Sequence, residues 1–160
     1  MRRKKAERIY EEGRTFESGK AVTWRCGSDV TLMATGIMTA EAMRAADLLA
    51  KEGISARVLN VFTLKPIDEE AIAKAARETG AVVTAENHNV INGLGSAVAE
   101  VLAEHCPVPM ERVGVRDLFG EVGSMDYLKD KFQLTAEEIV RCAQKVIEKK
   151  GAKGSEGERK

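Results

Sequence analysis

The sequence predicts an α/β fold with three layers, α/β/α, and a mixed, mostly parallel sheet of about five strands. Short apolar runs rich in β-branched residues alternate with helical patterns, which is typical of a parallel sheet covered on both faces. The link CGSD (Cys26–Asp29) joins a predicted strand at Ala21–Arg25 to one that begins at Val30. This link is too short for a parallel crossover, so it favours antiparallel pairing of these two strands.

The first strand–helix unit begins with the apolar run VTLMAT (Val30–Thr35), which ends at Gly36. Thr39 is predicted to cap the following helix, because its hydroxyl can accept a hydrogen bond from a free amide of the first turn. Gly53 is predicted to end this helix. Small and apolar residues recur at helical spacing and predict its buried stripe: Ala42, Ala45, Ala46 and Leu49.

The second unit repeats this plan with a strand at Ala56–Phe62, which Pro66 follows. Asp68 is predicted to cap a helix that runs to about Thr79 and that Gly80 ends. The same criteria predict three further elements: a strand at Ala81–Ala85, a helix at Ser96–Glu104 and a strand at Arg112–Val115.

The last helix has the clearest start signal. Thr135 and Glu138 have the spacing of a capping box, in which each side chain bonds the main-chain amide of the other residue. Gly151 is predicted to end this helix. Its buried stripe is predicted to contain Ile139, Cys142, Ala143 and Val146.

Composition and charge limit the domain organisation and the function classes. The chain has 160 residues, which suits one domain, here predicted at residues 16–150. The polar ends predict a basic linker or tail over residues 1–15 and a disordered tail over residues 151–160. The formal net charge is zero, with 25 basic and 25 acidic residues, which argues against a nucleic-acid binder. No apolar run is long enough to cross a bilayer.

Three cysteines are widely spaced along the chain: Cys26, Cys106 and Cys142. They indicate neither a disulfide framework nor a zinc knuckle, so we expect a reducing, cytoplasmic location. None has both a basic residue and a histidine nearby in sequence, which favours packing over nucleophilic catalysis.

The turns that follow the parallel strands are expected on one edge of the sheet, because crossovers are right-handed. This edge is where ligands usually bind in such folds. The turns are Gly36–Thr39, Lys65–Asp68 and Glu86–Ser96, and the polar residues they bring to the edge are Thr39, Asp68, Glu86 and His88. Helix N-termini at this edge could also hold an anion through their free amides.

The stretch ENHNVINGLGSAVAEVLAEH (Glu86–His105) contains both histidines and a glycine-rich turn. Gly93 and Gly95 match the first two glycines of a dinucleotide-binding fingerprint, but Val98 stands at the third position. The glycines are therefore interpreted structurally, as allowing main-chain angles closed to other residues and a close approach of the helix to the sheet. Asn92 fits the same turn because asparagine tolerates a left-handed conformation.

Glu86 and His88 are two residues apart on a strand end, which would place both side chains on one side, where they could form an acid–base pair. No nucleophile or third metal ligand accompanies them, so catalysis and metal binding are disfavoured. We assign no catalytic, cofactor-binding or metal-ligating residue. We predict an interface or anion-binding loop, formed by Thr39, Glu86, His88, Gly93, Gly95 and Ser96.

Several motifs occur in a fixed order: FESGKA (Phe16–Ala21), GSDVTLMATG (Gly27–Gly36), NVFTLKPID (Asn60–Asp68), AENHNVINGLGSAVAEVLAE (Ala85–Glu104), DLFGEVGS (Asp117–Ser124) and LTAEEI (Leu134–Ile139). This set resembles the C-terminal domain of the transketolase family over residues 16 to 148, and most closely the C-terminal subunits of split transketolases. The family usually has a second glycine where Asn92 stands and often an acidic residue where Cys26 stands. The change at Asn92 argues against assigning a ligand to the loop.

The resemblance implies a noncatalytic domain, inactive alone, of an enzyme that transfers a two-carbon ketol unit between sugar phosphates, as in the pentose phosphate pathway. Transketolases use thiamine diphosphate and a divalent metal such as Mg, bound between a diphosphate-binding and a pyrimidine-binding domain. This sequence lacks the Gly-Asp-Gly motif of the former. The chain is therefore expected to bind no cofactor itself. Its expected partners are those two domains within a homo-oligomer, with no nucleic acid and no membrane.

Two alternatives remain open. The first is a small-anion-binding regulatory domain that holds a phosphorylated metabolite at the helix N-termini of the carboxyl edge. The second is the C-terminal domain of a related enzyme, either a deoxyxylulose-phosphate synthase or the beta subunit of a 2-oxo acid dehydrogenase.

Overall fold

The computed structural model describes residues 7–118 and 120–157, with side chains described as far as Ala152. The elements in chain order are β1 Val22–Arg25, β2 Val30–Ala34, α1 Met38–Lys51, β3 Ala56–Asn60, α2 Glu69–Thr79, β4 Val82–Asn89, α3 Leu94–His105, β5 Met110–Val115, α4 Met125–Lys131 and α5 Ala136–Gly157. The predicted α/β class is confirmed, and every predicted strand and helix is present. Helix α4 was not predicted.

The five strands form one mixed sheet in the order β1-β3-β2-β4-β5. Strands β2, β3, β4 and β5 are parallel to one another, and β1 runs antiparallel to β3. The mixed, mostly parallel sheet is confirmed. The predicted pairing of the first two strands is wrong, because β3 lies between them.

The link between β1 and β2 passes around the start of β3. The main-chain amides of Ser28 and Asp29 both donate to the carbonyl of Ser55, at 3.0 and 2.9 Å. Gly27 lies so close to the main chain of Ala56 that a Cβ at this position would overlap it. A four-residue link can therefore step over an inserted strand when a glycine allows the crossing.

Helices cover both faces of the sheet, as the three-layer prediction requires. Neighbouring side chains of β2 point to opposite faces: Leu32 packs in the cluster under α1 and α5, and Met33 packs in the cluster under α2 and α3. The predicted stripes of α1 and α5 are buried at these positions: Ala42, Ala45, Ala46, Leu49, Ile139, Cys142, Ala143 and Val146.

The predicted cap of α2 and the Thr135 half of the capping box of α5 are confirmed, but Glu138 does not complete the box, because its carboxylate binds Arg141. Asp68 accepts a hydrogen bond from the Ala71 amide at 3.1 Å, and Gly80 ends α2 in a left-handed conformation with φ 65°. The hydroxyl of Thr135 accepts from the Glu138 amide at 3.3 Å. In both helices a local signal decides the start, since the capping residue is three positions from its partner.

The predicted cap of α1 is wrong. Ile37 occupies the cap position without a side-chain hydrogen bond, and Thr39 lies inside the helix, fully buried. Gly36, with φ 58°, redirects the chain directly after β2, so the helix begins before Thr39 is reached.

The predicted end of α5 at Gly151 is also wrong, because the helix continues to Gly157. Residues 151–157 belong to this helix, and residues 158–160 lie outside the described residues. A glycine costs a helix interior only about 1 kcal/mol. Lys150, the residue before Gly151, is held by a hydrogen bond to another element: its Nζ donates to the carbonyl of Thr79 at 2.7 Å.

The described part of the predicted basic linker, residues 7–15, forms no helix or strand but contacts the domain. The ring of Tyr10 lies 4.7 Å from that of Phe16 and 5.1 Å from that of Trp24. Its hydroxyl accepts a hydrogen bond from Asn60 Nδ2 at the end of β3. Residues 1–6 lie outside the described residues.

Candidate functional site at the carboxyl edge of the sheet

Glu86, inside β4, links this strand to the start of α3. Its side chain is 1% exposed, and its two carboxylate oxygens accept hydrogen bonds from the amides of Leu94 and Gly95, each at 2.8 Å. These are the first two amides of the helix, which have no partner within it. The negative charge also lies at the positive end of the helix dipole. Glu86 is therefore a cap that reaches across the turn.

Neighbouring atoms leave too little room for a side chain at either glycine of the turn. A Cβ at Gly93 would overlap the Glu86 carboxylate, and one at Gly95 would lie 2.6 Å from Arg112 Cδ and 3.1 Å from Thr84 Oγ1. The predicted close approach of helix and sheet is confirmed. The predicted need for unusual angles is wrong for both glycines, because Gly93 has φ −104° and Gly95 lies within α3 without a positive φ.

Asn92 has φ 60°, which confirms its predicted left-handed conformation. Its amide donates to Ser96 Oγ at 2.9 Å, and that hydroxyl donates to the carbonyl of Val90 at 3.3 Å. The amide of Ile91 donates to Asn89 Oδ1 at 2.8 Å. The turn is thus fixed by its own hydrogen bonds, and it presents the side chain of Ile91, which is 51% exposed.

Glu86 and His88 do not form the acid–base pair, because no hydrogen bond or ion pair joins these two described side chains. Glu86 is buried under α3, whereas His88 is exposed and its Nδ1 lies 3.3 Å from the carbonyl of Asn89. The pairing of β4 with β5 shifts register between Ala85 and Asn89, which marks an irregularity in this part of the strand. His105, at the far end of α3, lies 3.5 Å from Glu69.

The other polar residues predicted at this edge are also bonded inside the domain. Thr39 Oγ1 donates to Asn60 Oδ1 at 3.1 Å. Asp68 accepts from the amide of Ala21 at 2.8 Å in addition to capping α2. Of the four edge residues Thr39, Asp68, Glu86 and His88, the first three are buried. His88 is the one whose side chain is exposed.

Sequence reasoning missed a charged cluster that joins α1 to α4. Glu41 is 5% exposed and is bound by Arg44 at 2.7 Å and by Lys129 of α4. Burial alone would raise the pKa of the Glu41 carboxyl, but the hydrogen bonds and charges of these two partners hold it below its ordinary value. The spacing of Glu41 and Arg44 on α1 is a local signal of their ion pair, but no local pattern signals the contact with Lys129, which is far from Glu41 in sequence.

The structure bears on three possibilities considered from the sequence: a metal site, a membrane span and reactive cysteines. Among residues 7–118 and 120–157, no group of three or more His, Cys, Asp and Glu side chains is arranged to hold a metal ion. No helix in the same part of the chain is long and apolar enough to cross a membrane. All three cysteines are free: Cys26 is exposed, Cys106 half-buried and Cys142 buried.

Comparison with known protein families identifies the family to which this fold belongs. Residues 19–139 match the family model described as the C-terminal domain of transketolase. The chain belongs to the transketolase C-terminal domain family. The family resemblance expected from the ordered motifs is thereby confirmed.

Curated relatives and a solved structure agree with this assignment. The chain is 63% identical over 148 residues to the 6-deoxy-6-sulfo-D-fructose transketolase subunit SqwH of Clostridium sp. (strain MSTE9), covering 92% of this chain and 46% of that protein. It is 42% identical over 143 residues to the 1-deoxy-D-xylulose-5-phosphate synthase of Heliobacterium modesticaldum, covering 88% of this chain and 22% of that protein.

A solved chain described as a split gene transketolase, an inactive beta4 tetramer, superposes with a TM-score of 0.85 at 49% identity. The match covers 89% of this chain and 46% of that chain. This chain therefore spans less than half the length of the relatives it matches. The conserved fold is that of one domain of larger proteins.

Proposed function

We propose that this chain is the noncatalytic C-terminal domain of a split transketolase, and that it joins the cofactor-binding domains into one assembly. The similarity to a transketolase subunit, at 63% identity, supports this over the synthase alternative, at 42%. A cytoplasmic location belongs to the same proposal, because free cysteines suit a reducing compartment.

The observation that carries the assembly role is the orientation of the β4–α3 turn. Its carboxylate, Glu86, is turned inward and already accepts two amides, while its apolar side chain, Ile91, faces solvent. A turn that is already fixed by its own hydrogen bonds loses little conformational entropy when its exposed apolar side chain docks. The surface formed by Asn87, His88 and Ile91 is called the docking turn below, and its proposed occupant is another domain of the same enzyme.

Thiamine diphosphate and Mg are proposed to bind outside this chain. Their site needs carboxylates that are free to coordinate a metal or to bond the aminopyrimidine. The two buried carboxylates of the carboxyl edge do not fit that need, because Asp68 and Glu86 each already accept two main-chain amides. The chain's contribution is therefore placement of the other domains.

The regulatory alternative has less support at the glycine-rich turn. A phosphate at the N-terminus of α3 would need the amides of Leu94 and Gly95, which the buried Glu86 carboxylate occupies. Displacing this carboxylate would leave its charge buried without partners, which is costly.

A chimera tests the assembly role. Residues 16–150 would replace the matched segment of the Clostridium subunit, which would be co-expressed with its companion subunit and assayed for ketol transfer. We expect the chimera to assemble and to be active. Ile91→Asp should lower activity and complex yield at least about tenfold, because a charge would enter a desolvated contact.

Lys74→Asp, on the exposed face of α2, is the matched control and should behave like the parent chimera. Full assembly of the Ile91→Asp chimera would refute the role of the docking turn. Tight, Mg-dependent binding of thiamine diphosphate to the isolated chain, measured by calorimetric titration, would refute the noncatalytic assignment.

A further inference from the structure

Residues 7–16, called the strap below, lie against the β1–β3 side of the sheet without forming a helix or strand. Aromatic side chains anchor this segment. The ring of Tyr10 contacts those of Phe16 and Trp24, and the ring of Phe16 lies 5.2 Å from that of Phe62, which follows β3. Two rings of the strap and two of the domain therefore form one cluster.

The earlier part of the strap reaches α1. The hydroxyl of Tyr10 accepts a hydrogen bond from Asn60 at the end of β3, and the carboxylate of Glu7 lies 2.7 Å from Nη1 of Arg44 in α1. Strands β3 and β2 are neighbours in the sheet, and α1 follows β2. The strap thus crosses the carboxyl edge from the end of β3 to the helix that leaves β2.

A cavity of about 130 Å³ lies beneath this part of the strap, between α1 and α4. Glu7 and Ile9 line it from the strap, Gly36 and Ala40 line it from the start of α1, and Lys129 lines it from α4. The strap is therefore one wall of the cavity, and its removal would open the cavity to solvent.

The cavity lies beside the switch point of the sheet. Strands β2 and β4 are neighbours, but α1 and α3, the helices that follow them, pack on opposite faces. Gly36, after β2, lies close to β4, since a Cβ on it would be 3.2 Å from Asn87 Oδ1. Open α/β sheets usually bind ligands where the chain diverges in this way. Access to this place therefore matters for any molecule that binds at the edge.

Side chains alone attach the strap. Within residues 7–118 and 120–157, no hydrogen bond between main-chain groups joins residues 7–16 to the rest of the domain. Only Ile9 and Tyr10 are half-buried, and the other eight residues of the strap are exposed. The ion pair of Glu7 with Arg44 is also exposed, so solvent weakens it.

These few contacts oppose the conformational entropy that ten residues gain when they are released. The helices and strands of the domain are held differently, by main-chain hydrogen bonds and a buried core. Segments with few buried contacts open locally while the rest of a protein stays folded. The free energy of opening is therefore smaller for the strap than for the sheet.

We propose that the strap is a gate over the cavity at the switch point. In its docked state it closes the cavity with Glu7 and Ile9, and Tyr10 is its anchor. In its open state the cavity is accessible while the sheet and the helices remain folded. This gate does not depend on the assembly role.

A thiol placed in the cavity wall tests the gate. In the whole chain carrying Cys26→Ser, Ala40→Cys puts a thiol beneath the strap, and mass spectrometry after timed quenching gives its alkylation rate. Tyr10→Ala should raise this rate at least about tenfold, because it removes the ring that anchors the strap. Ala73→Cys, at a buried position of α2, is the matched control, and Tyr10→Ala should leave its rate unchanged.

Trypsin cleavage after Arg14, in the chain with its native cysteines, is an independent measurement. Tyr10→Ala should accelerate it at least about tenfold, and Tyr10→Phe should accelerate it less, because the ring remains and only the bond to Asn60 is lost. The control is Tyr127→Ala, which removes the other tyrosine of the chain, on α4. Cleavage should depend little on urea below the unfolding transition, because opening exposes little surface.

Three results would each overturn the gate. The first is equal alkylation of the Ala40→Cys thiol with and without Tyr10→Ala. The second is cleavage after Arg14 that rises with urea as steeply as global unfolding, since the strap would then open only with the whole domain. The third is an effect of Tyr127→Ala on cleavage as large as that of Tyr10→Ala.

Discussion

Gly93 and Glu86 depend on each other: the Glu86 carboxylate occupies the space that a side chain at position 93 would need. In that position it accepts the first two amides of α3. The end of one strand and the start of the following helix are therefore joined by a single buried acidic side chain. Position 93 must be glycine because the Glu86 carboxylate fills the space that a Cβ would occupy.

Gly93→Ala should destabilise the domain by about 2–3 kcal/mol, since the added methyl group would force Glu86 away from the amides it caps. Urea denaturation followed by circular dichroism measures the change. Gly151→Ala is the control, because a Cβ at Gly151 would meet no atom within 4 Å and the residue lies inside α5. That control should stabilise the domain by up to about 1 kcal/mol. Equal stability of the Gly93→Ala variant and the native chain would contradict the proposed contact.

Glu86→Gln should lower the free energy of unfolding by about 2 kcal/mol, because the amide NH₂ would face one of the two main-chain donors. Hydrogen exchange of the Leu94 and Gly95 amides should accelerate in the same variant. Glu100→Gln, on the exposed face of α3, should change neither quantity appreciably. If Glu86→Gln leaves both amides as protected as before, Glu86 is not the cap.

Glu41 should make stability depend on pH. Its carboxyl has a lower pKa in the folded protein than its ordinary value of 4.5, because the bonds from Arg44 and Lys129 outweigh the effect of burial. A group whose pKa falls on folding stabilises the fold at pH values above its unfolded pKa. That contribution is lost as the pH falls through the folded pKa.

Glu41→Gln should therefore cost about 2 kcal/mol at neutral pH, and the difference from the native chain should shrink in acid below pH 4.5. Urea denaturation over a series of pH values measures it. Glu148→Gln, at an exposed position of α5, serves as the control. A Glu41→Gln difference that stays constant down to strong acid would refute this linkage.

Cys142 should resist thiol reagents. Burial, with a smaller effect from Glu138, raises the pKa of its thiol to about 11, and its side chain is 1% exposed. At about pH 8 we expect Cys26 to be alkylated at least about a hundredfold faster than Cys142, since only the thiolate reacts. Mass spectrometry after timed quenching gives both rates. Cys26→Ser should remove the fast phase, and labelling of Cys142 as fast as that of Cys26 without denaturant would contradict the packing of α5.

Local signals in the sequence predicted the helices and strands well where one short segment decides the outcome. Asp68 caps the start of α2 and Gly80 caps its end. Both were predictable because capping involves residues three or four positions apart. Alternating apolar runs predicted the parallel sheet. The same reasoning failed at Thr39, because the abrupt turn at Gly36 starts α1 earlier than a capping pattern indicates.

The sequence by itself determined the α/β class, the order of most elements, the buried stripes of α1 and α5, and the transketolase family, since each depends on periodicity or on ordered motifs. Only the tertiary structure decided that β3 separates β1 from β2, that Glu86 caps α3, and that Lys129 of α4 binds the buried Glu41 of α1. These are contacts between segments, and their free energy depends on how the strands and helices pack. A local pattern contains no information on which distant backbone or side chain will fill a given space.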